Sequence, residues 1–202
     1  MTRQPEQPTD NELLAAWRGG DNLAGNRLFE RHHRSILRFF TNKVGPDCED
    51  LVQATFLACV EGIDRFRGDS SFRTLLFAIA WNKLHGHFHA STRAHENFDP
   101  RDDPVHASAP TFGTLLAARQ EQALLRVAMS ELPLDVRTML ELHYWEAMSI
   151  KEIARVFDRK VSTVKTRMRR GREQLERECE ALRAARGREA RRSHRARSLE
   201  AV

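Results

Sequence analysis

Apolar residues recur at helical spacing along most of the chain, and the elements this pattern predicts are helices. Thr9 and Glu12 form a capping box for a short helix through Leu13, Leu14 and Trp17 that Gly19-Gly20 ends. Asp21 can start the next, in which Leu28, Phe29, His32, Ile36, Leu37 and Phe40 keep the helical period until Gly45-Pro46 stops it. On that face His32 reads as a core-edge histidine rather than a ligand. Asp47, Glu49 and Asp50 open a third helix, where carboxylates suit the positive end of the dipole. Its apolar side is Leu51, Val52, Thr55, Phe56, Cys59, Val60 and Ile63. A fourth runs from Phe72 to about His89, spaced by Leu75, Leu76, Ile79, Ala80 and Lys83. Helical spacing resumes through Leu115, Leu116, Leu124, Leu125, Val127 and Met129; after Pro133, Val136, Met139, Leu140 and His143 mark a further helix.

The stretch from Ser149 to Leu175, SIKEIARVFDRKVSTVKTRMRRGREQL, reads as a helix-turn-helix. Ser149 and Glu152 form a second capping box, and Ile150, Ile153, Ala154 and Phe157 give the short helix one apolar face. At Asp158 the pattern breaks, and Asp accepts the left-handed backbone of a tight turn. Ser162 can cap the next helix, whose Val164, Met168 and Leu175 face inward while Lys165, Thr166, Arg167, Arg169, Arg170 and Arg172 take the other faces. A cationic helix on an apolar floor suits the major groove of duplex DNA; a solvated basic face is the plainer alternative.

Composition changes this picture mainly by locating the charge. The 202 residues are 41% hydrophobic, enough for one or two small cores. The net charge is +5, and from Ala181 onward seven arginines stand against two glutamates, which accounts for all of it. The basic character is therefore local, as expected of a protein that meets nucleic acid at some surfaces and protein at others. Cys48, Cys59 and Cys179 are odd in number and lack paired zinc spacing, so they read as reduced thiols of a cytoplasmic protein. No signal peptide or membrane span is expected.

Three further segments carry chemistry. DRFRGDSSF, from Asp64 to Phe72, interleaves aromatics with cations, which suits unstacked bases. Equally, Phe66 and Phe72 can anchor the loop in the core, with Asp69 or Ser70 capping the next helix. HGHFH suggests a metal site, yet only His85 and His89 share a helical face, and a zinc site needs three or four ligands. A phosphate-facing cluster is the better reading, with no metal and no cofactor. ENFDPRDDPVHASAPTFG, with three prolines and three aspartates, reads as a flexible acidic linker. The Arg-rich end after Glu180 has few large apolar residues and is expected to be disordered or a frayed helical extension, able to hold nucleic acid without sequence preference.

Two blocks carry a family resemblance. DCEDLVQATFLACVEGIDRFRGDSSFRTLLFAIAWNKL resembles region 2, and ELPLDVRTMLELHYWEAMSIKEIARVFDRKVSTVKTRMRRGREQL resembles region 4, of bacterial sigma factors of the extracytoplasmic-function group. The fold implied is all-α: a disordered N-terminus at 1–8, a region 2 helical bundle at 9–94, a linker at 95–114, a region 4 helix-turn-helix at 115–178 and an Arg-rich tail at 179–202. The resemblance implies an alternative sigma factor, with core RNA polymerase, promoter DNA and an anti-sigma factor as partners. By position, Asp50, Gln53 and Phe56 match the polymerase-docking helix. Phe66, Arg67, Gly68, Asp69 and Ser70 match the loop that captures a flipped base of the minus 10 element, and Ile79 and Asn82 match positions lining that pocket. Thr163, Lys165, Thr166, Arg169 and Arg170 match positions that approach the minus 35 duplex. This chain has Trp81 and three histidines where the family often carries basic residues.

No nucleophile, base and carboxylate set and no phosphate-binding glycine loop is present, so no catalytic residues are expected. A stand-alone helix-turn-helix regulator is the alternative function. Such a regulator has no need of the DRFRGDSSF loop or of the acidic Asp47 to Glu61 helix.

Overall fold

The computed structural model describes residues 7–93 and 117–200, with side chains to 89 and again over 121–188. The expected linker, residues 95–114, and helix positions Leu115 and Leu116 lie outside the described residues, as does most of the segment 1–8. Among the described residues every regular element is helical. In chain order they are α1 (Asp10–Arg18), α2 (Asn22–Val44), α3 (Glu49–Gly62), a 3-10 turn (Ile63–Arg65), α4 (Phe72–Arg93), α5 (Ala117–Ser130), α6 (Leu134–Tyr144), α7 (Ile150–Val156) and α8 (Val161–Glu200). The chain groups into two compact units, residues 1–98 with 142–161, and residues 99–141 with 162–202. Residues 142–161, which carry α7, thus group with the first unit, whereas the sequence regions divide at the linker.

In the first unit, α1 to α4 enclose a core that includes Leu28, Ile36, Phe40, Phe72, Leu76, Phe77 and Leu84, all essentially inaccessible. Both capping boxes form. The Thr9 hydroxyl accepts from the Glu12 amide while the Glu12 carboxylate accepts from the Thr9 amide, and Ser149 and Glu152 repeat the arrangement at α7. Asp21 accepts from the amides of Leu23 and Ala24 and starts α2. His32 is buried and bonds to Asp10 Oδ2 at 2.7 Å, so it is a core-edge residue that ties α2 to α1. Lys43 is buried as well; its ammonium donates to the Phe39 carbonyl at 3.0 Å and lies 4.0 Å from the Phe39 ring centre. Within the same unit α7 packs on α4, with the Trp81 and Phe157 rings 4.5 Å apart.

Two sequence expectations shift here. The cap of α4 is Ser71, whose hydroxyl accepts from the Thr74 amide at 3.2 Å, rather than Asp69 or Ser70. Val60, assigned to the apolar side of α3, is 45% exposed, because the buried stripe of that helix is the narrower set Val52, Thr55 and Cys59.

The second unit buries Leu124, Ala128, Leu132, Met139, Leu140, Val164 and Met168. Gly171 permits its close packing: a Cβ at 171 would overlap the Val136 side chain. Helix α8 begins at Val161, so Ser162 lies inside it rather than capping it. The helix continues to Glu200, the helical extension that is one of the two expectations for this end. Ala181, Leu182, Ala184, Ala185 and the arginines are strong helix formers, and Arg183 donates to Glu121 of α5 at 2.7 Å.

Candidate nucleic-acid interface

The first candidate surface is the N-terminal part of α8. Val164, Met168 and Gly171 are buried, so helical geometry sends Lys165, Thr166, Arg169 and Arg170 to the opposite, solvent-facing arc, where all four are exposed. Thr163 is half-buried beside them. Arg169 donates to Glu173 one turn on, at 2.6 Å. Arg167 leaves this set, because its guanidinium is held by Asp135. Before α8, Asp158 has φ 47°, the left-handed turn its residue type allows.

The second surface lies between α3 and α4. Gly68 has φ 79°, a backbone that a side chain would strain, and it turns the loop between two exposed residues, Arg67 and Asp69. Ser70 is half-buried. Phe66 is half-buried too, with the Arg18 guanidinium carbon 5.6 Å from its ring centre. Arg18 also donates to the Ile63 carbonyl at 2.6 Å and to the Phe66 carbonyl. Nothing in the local sequence signals this, since Arg18 lies 45 and 48 residues from its acceptors. Phe72 is fully buried, as the anchoring reading of the loop expects. On α4, Ile79 and Asn82 share one face, half-buried and exposed respectively.

The third surface is one side of α3. Asp50 and Gln53 are exposed, and Leu57 joins them one turn on at 57% exposure, with Val60 beside it. Phe56 behaves differently. It is half-buried, with its ring 4.9 Å from Phe29 and 6.0 Å from His33 of α2, so most of it is used in packing. Sequence reasoning missed Leu57 and Val60 as exposed apolar positions; the signal was available, because both lie on the same side of α3 as Gln53.

The histidines of α4 pair as their spacing predicts. His85 and His89 rings lie 4.3 Å apart, while His87 is exposed and contacts Phe88. Among the described residues no group of three or more His, Cys, Asp or Glu side chains could hold a metal ion. The three cysteines are free, and burial pushes the Cys59 thiol up to about 12. Among the described residues no helix is long and apolar enough to cross a membrane.

With these surfaces in view, the relatives fall in line. Residues 28–94 match the family Sigma-70 region 2, and residues 122–175 match Sigma-70, region 4. The chain is 30% identical over 191 residues to the ECF RNA polymerase sigma-E factor of Haemophilus influenzae, covering 88% of this chain and 98% of that protein. To the protein of the same description from Escherichia coli K12 it is 31% identical over 188 residues, covering 88% and 97%. Among solved structures it is similar to CnrH in complex with the cytosolic domain of CnrY, at 26% identity and a TM-score of 0.61, covering 85% of this chain and 97% of that one. A similar fold occurs in the sigma factor RpoE in complex with the anti-sigma factor NepR from Bartonella quintana, at 20% identity and a TM-score of 0.60, covering 77% and 96%.

The chain belongs to the sigma-70 family. Within it, the chain is an ECF sigma factor, an alternative sigma factor that directs transcription initiation.

Proposed function

We propose that this protein divides promoter reading between its two sequence regions, 9–94 and 115–178. Region 4 reads the minus 35 element as duplex: α8 enters the major groove with Lys165, Thr166, Arg169 and Arg170 toward bases and phosphates, and Thr163 near the helix start on the backbone. Region 2 captures the melted minus 10 strand at the loop bearing Arg67, Gly68, Asp69 and Ser70, with Ile79 and Asn82 lining the pocket. Phe66 belongs to the same loop. Polymerase docks on α3 through Asp50 and Gln53, backed by Phe56. Leu57 and Val60 supply the apolar centre that such an interface needs.

The observation that carries the reading is the pairing of two exposed cation-bearing surfaces of different kind in one chain. One is a regular helix suited to a groove, and the other is an irregular loop suited to an unstacked strand. The protein performs no catalysis of its own. It acts in the cytoplasm, where polymerase and promoter are, and an anti-sigma partner restrains it. The similarity to CnrH, solved with the cytosolic domain of CnrY, supports a protein partner of that type.

The test is to mix the purified protein with core RNA polymerase and measure co-elution and initiation on a promoter library. Co-elution with selection of a two-element promoter is expected. Absence of any association with core would overturn the reading and leave a stand-alone duplex-binding regulator.

A further inference from the structure

The loop assigned to strand capture is held from outside the matched region 2. That match begins at residue 28, whereas Arg18 is the last residue of α1. Its guanidinium donates at 2.6 Å to the Ile63 carbonyl and also to the Phe66 carbonyl, and it covers the Phe66 ring. The two carbonyls mark the two ends of the 3-10 turn that leads into the loop, and Ile63 O also accepts from the Phe66 amide at 3.1 Å. The Phe66 carbonyl lies past the turn and has no intrahelical donor, and a cation at a helix end is favourable on both hydrogen-bonding and dipole grounds. Both bonds leave one nitrogen, Nη2, whose two hydrogens serve the two carbonyls, while the planar guanidinium lies over the Phe66 ring, a cover that a lysine ammonium does not reproduce.

Arg18 is itself well fixed. The amides of Gly19, Gly20 and Asp21 bond back to Ala15, Trp17 and Ala16 carbonyls, which closes α1 immediately after it. Trp17 packs edge-on against Phe29 at 5.1 Å, and Asp10 at the other end of the helix is bonded to Arg31 and His32 of α2. The guanidinium therefore projects from a helix secured at both ends onto an irregular segment whose exposed residues, Arg67, Gly68 and Asp69, have little packing of their own.

We propose that Arg18 is the positioning residue of the strand-capture loop: by joining the Ile63 and Phe66 carbonyls and covering the Phe66 ring, it fixes the backbone from which Arg67, Gly68, Asp69 and Ser70 meet an unpaired base. The proposal rests on the division of promoter reading given above. It assigns α1 to the melted-strand apparatus. It also gives Phe66 an internal role, since the ring face under Arg18 is closed to a base.

The experiment uses the full chain bound to core polymerase. Its probe is the single-stranded nontarget oligonucleotide of the strongest promoter from the library, with a fluorescent base analogue at the captured position. Co-elution with core and binding of the upstream duplex are measured on the same samples. Arg18→Ala is expected to weaken strand binding about tenfold, the scale of one charge-assisted bond, with core association and duplex binding unchanged. Arg18→Lys keeps the charge and its donors but loses the guanidinium plane over Phe66, and is expected to recover only part of the loss. Strand binding at the wild-type level in Arg18→Ala, or full recovery in Arg18→Lys, overturns the proposal. So does a parallel loss of core and duplex binding, which would make Arg18 a general structural residue. Wild-type protein that binds core but not the strand would instead overturn the strand-capture reading itself, and the core measurement tells these outcomes apart.

Discussion

Helix α8 and the loop before α4 both present cations at exposed positions, yet they are built by opposite means. On α8 the placement is periodic: burying Val164, Met168 and Gly171 compels Lys165, Thr166, Arg169 and Arg170 outward. In the loop no period operates. Gly68 turns the chain at φ 79°, Phe72 anchors its exit and Arg18 of a distant helix anchors its entry. A surface that follows from one helix tolerates change at most of its positions, whereas one assembled from remote anchors depends on each of them.

Phe72→Ala gives the largest expected effect. The ring is fully buried and lies 5.6 Å from His32 and 6.5 Å from Phe29, so its loss should cost about 3–5 kcal/mol of stability, measured by urea unfolding. Below the melting temperature, strand capture should fall while duplex binding by α8 persists. Gly171→Ala is the mirror experiment. The added methyl meets Val136 and Leu140, and overpacking of this kind costs about 1–3 kcal/mol. Duplex binding should weaken and strand capture survive. If both variants lose both activities together, the two surfaces are not separately built.

That contrast also explains what was legible from residues alone. The capping boxes at Thr9 and Ser149, the turn at Asp158 and the outward arc of α8 depend on neighbours within a few positions, and all were readable. Arg18 was not, because its acceptors lie 45 and 48 residues away and no local motif marks an arginine that will bond to distant carbonyls. Val60 was misplaced because an apolar residue on a mixed helix face is assigned inward unless the width of the buried stripe is known. The end after Glu180 stayed open between disorder and a helical extension for a related reason: scarce large apolar residues argue against a core, but they do not argue against a helix of Ala, Leu and Arg.

Within the α8 arc the arginines separate by their partners. Arg170→Ala should cost about 1–3 kcal/mol of binding at the cognate duplex if it makes a bidentate base contact, with relaxed selectivity at one position. Equal losses on every sequence, with a shallower salt slope, would reduce it to a phosphate contact. Arg167→Ala should instead lower folding stability, because its partner is Asp135 of α6 rather than solvent, and should leave selectivity as it was. Fluorescence titrations of each variant against cognate and scrambled duplexes at two salt concentrations check both.

The smallest effect concerns the anchor of α1, and with it the platform that carries Arg18. Burial pushes the Asp10 carboxyl upward, but the hydrogen bonds and charges of Arg31 and His32 outweigh it and hold the group below its ordinary 3.8. A carboxylate depressed in the folded state adds stability that is present above the unfolded value and is lost as pH falls through the folded one. Asp10 should therefore support α1 at neutral pH, with that support declining as pH falls below the ordinary carboxylate value and through the lowered folded one. For a pair this exposed the contribution is well under about 1 kcal/mol. Glu12 and Glu152 are also lowered, through their capping boxes, so the wild-type acid limb sums several groups. Asp10→Asn isolates one of them. Its unfolding free energy should fall slightly below wild type at pH 7, and the gap should close as pH falls below the ordinary carboxylate value and through the lowered folded one. A constant gap across that range would mean that packing at position 10, rather than charge, secures the helix. Arg18 would then stand on an anchor indifferent to acid.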